Sequence, residues 1–61
     1  MSNLADLRAA RGLTQKELAL LAGASERAIQ GWENGQVPRP IYQDRLAKVL
    51  KVSVTALGFG R

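Results

Sequence analysis

The chain predicts an all-α fold of five helices, and three observations carry that expectation. Thr14 stands three residues ahead of Glu17, the spacing of a reciprocal helix cap; Gly23 separates two stretches of helical apolar spacing; and Pro38 and Pro40 fall together in one short segment. Sixty-one residues allow a single domain, taken as 1–61. A chain this short buries only about 60% of its unfolded surface, so a deep enclosed active site does not fit within it.

The first helix is expected between the capping candidates Ser2 or Asn3 and the stop Gly12, with Leu4, Leu7 and Arg8 at helical spacing over about three turns. Leu13 then enters the core. Thr14 opens the second helix: its hydroxyl takes an amide proton from the first turn, and the Glu17 carboxylate returns to the Thr14 amide. Leu18, Leu21 and Ala22 supply the apolar stripe, and Gly23 ends the helix in the left-handed conformation that glycine adopts at little cost. Ser25 caps a third helix with Ala28, Ile29 and Trp32 inward and Gly35 as its stop. After the irregular segment Gln36 to Pro40, Pro40 serves as the first residue of a fourth helix marked by Leu46, Val49 and Leu50. Ser53 caps a short fifth helix carrying Ala56 and Leu57.

Composition removes several classes of function. With no cysteine and no histidine, the chain lacks thiolate metal ligands, disulfides and the commonest general base. Tyr42, Asp44 and Glu17 show no spacing that assembles acid, base and nucleophile, so no enzyme, metal or cofactor is expected. The longest apolar run, Leu18 to Ala22, falls far short of the roughly 20 residues of a membrane span, and a cytoplasmic protein is expected. Nine Lys and Arg against five Asp and Glu give a net charge of +4. That balance favours a polyanionic partner, although it also simply keeps small proteins soluble.

Residues 14 to 35 read as two short helices joined at Gly23, a helix-turn-helix whose second helix presents a polar face. Such a shape seats one helix in a DNA major groove while the other spans the backbone. Thr14-Gln15, Glu17-Leu18-Ala19, Gly23-Ala24-Ser25, Ile29, Trp32-Glu33-Asn34-Gly35, Pro40 and Leu50-Lys51-Val52-Ser53 resemble the phage repressor and Cro (XRE) family of DNA-binding domains over about Leu4 to Leu57. The resemblance implies a compact five-helix bundle of the phage repressor type, acting as a transcriptional regulator and expected to be a repressor. It also implies that Arg8 on the first helix pairs with Glu33, and that Asn34 meets a phosphate.

Along the third helix, Arg27, Gln30 and Gly31 share an outer face while Ile29 and Trp32 face inward. Arg27 is the main candidate base reader, bridging guanine O6 and N7; Gln30 suits adenine, and Glu26 can accept from the cytosine amino group. Gln15 at the start of the second helix, Asn34 and Arg39 are the candidate phosphate contacts. The competing view of these polar side chains is an ordinary solvated helix face; for Arg45, Lys48 and Lys51 on the fourth helix that face, and not a binding stripe, is the expected reading. Ala19 and Gly23 are expected to let the second and third helices approach closely.

Two positions depart from the family pattern. Glu26 brings a negative charge near phosphates, and Gly31 stands where relatives place a base-reading side chain, at a cost of roughly 1 kcal/mol against alanine. Close backbone approach to DNA and a weak contact are both open at Gly31.

A palindromic double-stranded operator read by a homodimer is expected, with half-sites about 34 Å apart. Val54, Leu57 and Phe59 either form the dimer interface or finish the monomer core. The alternative function is a protein-interaction module on the same fold, such as an antitoxin or regulator-partner domain, suggested by Leu20, Phe59 and Glu26.

Overall fold

A computed structural model describes residues 3–59. Its elements are α1 (Leu4–Ala10), α2 (Gln15–Ala22), α3 (Glu26–Glu33), α4 (Pro40–Leu50) and a 3-10 turn at Thr55–Leu57. Among the described residues there is no strand. The expected fifth helix is therefore corrected to a single turn: Ser53 Oγ accepts from the Ala56 amide at 3.2 Å, but Gly58 then takes a left-handed φ of +79° and stops further winding.

Local signals set most of the boundaries. Thr14 Oγ1 accepts from the Glu17 amide at 3.0 Å while the Thr14 amide donates to Glu17 Oε1 at 2.8 Å, closing the capping box. Gly23, at φ +70°, turns the chain out of α2 and donates its amide back to the Ala19 and Leu20 carbonyls. Ser25 Oγ accepts from the Ala28 amide at 3.0 Å, and Pro40 occupies the start of α4, where its missing N–H costs nothing.

α1 is shorter than its sequence pattern implies, at seven residues. The Arg11 amide bonds back to the Arg8 carbonyl and Gly12 adopts φ +69°, which unwinds the chain before a third turn forms. Of the two capping candidates, Ser2 lies outside the described residues. Asn3 stands at the cap position without capping; its amide donates to the Leu57 carbonyl at 3.2 Å and its Nδ2 to the Ala56 carbonyl at 3.1 Å. The start of the chain is thereby sewn to the 3-10 turn.

The core is built around Leu4, Leu18, Ile29, Leu46, Leu50 and Leu57, all fully buried, with Ala19, Ala22, Trp32, Ala47 and Phe59 completing it. Burying each leucine or isoleucine contributes roughly 1.5–3 kcal/mol before entropy is counted. The apolar stripe of α2 differs from the expected one. Ala19 replaces Leu21, which is 60% exposed, because the buried arc is centred on Ala22 and flanked by Leu18 and Ala19, where α2 meets both α3 and α4. Leu57 and Phe59 finish the core of the monomer, so of the three candidate interface residues only Val54 is left at the surface.

Candidate nucleic-acid interface

Helix α3 is fixed from behind and left open in front. Helical residues advance by about 100°, which sets Arg27 opposite the midline of Ile29 and Trp32, with Gln30 and Gly31 on either side of it. Ile29 and Trp32 are buried; Glu26, Arg27, Gln30 and Asn34 are exposed, and their side chains form no hydrogen bond with other described residues. An arginine, a glutamine, a glutamate and an asparagine thus stand on one convex face with their donors and acceptors uncommitted.

The rear support converges on Glu33. Arg8 Nε donates to Glu33 Oε2 at 2.6 Å, Arg8 Nη2 reaches Oε1 at 3.5 Å, and Gln15 Nε2 donates to the same Oε1 at 2.8 Å. A further bond, from Arg8 Nη1 to the Leu13 carbonyl at 2.8 Å, anchors the guanidinium to the α1–α2 connection. The side chains of Arg8 and Glu33 are 20% and 9% exposed, so this ion pair sits largely out of water, where its hydrogen bonds gain strength. One carboxylate at the end of α3 therefore receives groups from α1 and from the start of α2. Gln15 thus braces α3 with one of its two Nε2 hydrogens, and the second forms no hydrogen bond with other described residues.

The turn between α2 and α3 has a second support from α4. Arg45 Nη1 lies 3.5 Å from the Ala22 carbonyl at the end of α2, and its guanidinium carbon sits 5.5 Å from the centroid of the Tyr42 ring. Tyr42 in turn leans on Trp32 of α3, with ring centroids 5.4 Å apart and planes at 43°. Charge spacing alone assigned Arg45 to a solvated face; the residue is exposed, its contact with Tyr42 lies at helical spacing on α4 itself, and only the Ala22 carbonyl comes from another helix, which spacing does not reveal. A Cβ at Gly23 would meet Arg45 Nη1 at 3.0 Å, so the close approach at this glycine is to α4 and not to α3. Ala19 is 4% exposed within the core.

Beyond α3, the Asn34 amide donates to the Gln30 and Gly31 carbonyls and ends the helix, and Gly35 follows at φ +111°. Gln43 Nε2 holds the next segment through the Pro38 carbonyl at 2.8 Å. Arg39 is exposed at the cap position of α4. Gly31 is half-buried because the Gln36 side chain lies against it, so DNA approaching its backbone has to displace Gln36 first. Sequence reasoning did not single out Gln36; its only local sign was a glycine where a side chain was expected.

Two helices joined by a left-handed glycine, the second presenting an open polar face, make up a DNA-binding helix-turn-helix. The chain belongs to the helix-turn-helix family of the Cro and repressor type, whose family model matches residues 4–57. It is a DNA-binding transcription regulator, of a kind that is typically non-enzymatic. Among the described residues no group of acidic side chains is placed to hold a metal ion, and no helix is long and apolar enough to cross a membrane.

Proposed function

We propose that the protein is a sequence-specific repressor that lays α3 in the major groove of double-stranded DNA. The observation that carries this reading is the contrast between the two sides of α3: a rear face locked by Arg8, Gln15 and Tyr42, and a front face whose polar side chains form no hydrogen bond with other described residues. Arg27, central on that front face, reads guanine through O6 and N7. Gln30 reads adenine and Glu26 accepts from cytosine, both at neighbouring positions. Asn34 and Arg39 bind phosphates on either side of the connecting segment. Gln15 positions the start of α2, where free first-turn amides attract a phosphate, and shares in that contact.

A module of this size has little contact area, so the repressor acts as a homodimer on a palindromic operator in the cytoplasm, with half-sites about 34 Å apart. Leu57 and Phe59 take no part in that dimer. Its contact is instead Val54, 39% exposed, beside the open groove formed with Asp44, Lys48 and Lys51. Selecting bound duplexes from a random-sequence pool tests the whole reading: two inverted half-sites one helical turn apart support it, and a pool without enrichment contradicts it.

A second reading has one observation in its favour. Leu20 and Leu21, 75% and 60% exposed, stand side by side on α2, as they would on a module that binds another protein. Affinity for duplex that is unaffected by salt and by sequence would favour that reading.

A further inference from the structure

Gly31 leaves a notch in the outward face of α3, and Gln36 occupies it. Position 31 lies one turn after Arg27 on the same face of the helix. Its φ is not in the left-handed region, so the backbone does not call for glycine there. The demand is for space. A Cβ built on Gly31 would overlap Gln36 Oε1 and lie 3.1 Å from its Cδ. The main chain holds the two residues in register as well, since the Gln36 amide donates to the Gly31 carbonyl at 3.0 Å.

The consequence is a carboxamide carried on the loop yet presented at the level of the recognition helix. Gln36 is exposed, and its side-chain amide forms no hydrogen bond with other described residues, so its donor and its acceptor are both uncommitted, with Oε1 resting against Gly31. A glycine inside a helix weakens that helix, and here the space it leaves is used. A side chain rooted at position 31 itself would point along a direction fixed by α3. One delivered from the loop after Asn34 and Gly35 enters the same place from the side.

We infer that Gln36 is a sequence-reading residue, delivered into the notch at Gly31, and that its partner is the major-groove edge of an adenine. A glutamine amide matches adenine by donating to N7 and accepting from the N6 amino group. The inference rests on the reading that α3 enters the major groove, and goes beyond it by adding a reader from outside the helix.

The test compares wild type, Gln36→Ala, Gly31→Ala and the double variant, each used to select duplexes from one random-sequence pool. Gly31→Ala is accommodated by the helical backbone and displaces the Gln36 side chain without removing it; thermal melting verifies that all four proteins fold. Both single variants are expected to lose preference for one adenine, the same one, in each half-site. Affinity for the wild-type consensus should fall about tenfold, affinity for a duplex already lacking that adenine should stay unchanged, and the double variant should be no worse than either single one. A Gln36→Ala protein that returns the wild-type consensus overturns the assignment, and so does one weakened equally on every duplex. Loss of preference at different base pairs in the two single variants overturns the delivery through the notch. A wild-type protein that enriches no sequence overturns this inference together with the major-groove reading, whereas the preceding outcomes leave that reading standing.

Discussion

Arg8 Nε and Glu33 Oε2 meet at 2.6 Å between the first and third helices. The pair lies 25 residues apart in the chain and is enclosed enough to be worth more than a surface ion pair. Glu33 closes α3, so whatever Arg8 fixes is the orientation of the whole outward face.

Among the described residues Arg8→Ala leaves the Glu33 carboxylate with Gln15 alone, and it should cost about 3 kcal/mol, a large share of a small domain's stability. Denaturant unfolding followed by circular dichroism measures this. A midpoint equal to that of wild type would show that the pair contributes nothing.

Arg45→Ala should destabilise the turn of the helix-turn-helix by about 1 kcal/mol, since it removes a donor to the Ala22 carbonyl and a cation above Tyr42. Arg45→Lys restores charge without the planar guanidinium and should recover only part of the loss. Full recovery by lysine in thermal melts would reduce the role of Arg45 to its charge.

Leu46→Ala opens a cavity among fully buried side chains and should cost about 2–5 kcal/mol, whereas Leu21→Ala on the exposed side of α2 should stay within about 0.5 kcal/mol. Urea titrations of the two variants separate the cases. Equal losses would place Leu21 in the core.

Much of the fold was legible because its signals are local. The Thr14–Glu17 box, the Ser25 cap, the left-handed Gly23 and Pro40 at the head of α4 each depend on neighbours within four residues, and such rules survive tertiary packing. The outward direction of Arg27 and Gln30 followed from helical spacing. Other features depend on partners distant in sequence. Leu21 lost its place in the stripe to Ala19 because α2 packs between two helices, and a fifth helix was shortened to a turn by Gly58 and the Asn3 bonds. The bond of Arg45 to the Ala22 carbonyl was illegible for the same reason, whereas Gln36, only five residues after Gly31, was missed because the irregular segment after Asn34 has no periodicity to place its side chain.

Binding to duplex should weaken steeply with salt. If a dimer neutralises roughly six phosphates, log affinity against log salt should fall with a slope of about −5. A slope near zero, measured by fluorescence anisotropy at several salt concentrations, would favour the protein-binding alternative.

Gln15→Ala and Asn34→Ala remove contacts assigned to phosphates and should weaken all duplexes by a similar factor, leaving the preferred sequence intact. Gln15→Ala should also lower the melting temperature, because it deprives Glu33 Oε1 of its 2.8 Å donor. A shifted consensus from either variant would turn that residue into a base reader.

The claim that the outward face of α3 reads sequence is tested most directly through Arg27. The measurement is the affinity of wild type and Arg27→Ala for the selected duplex and for the same duplex with its contacted guanine replaced. Arg27→Ala should lose about 1–3 kcal/mol on the selected duplex and almost nothing on the replaced one, relaxing preference at one base pair in each half-site. Equal loss on both duplexes, in a protein that still melts like wild type, would place Arg27 on the phosphate backbone and contradict the account.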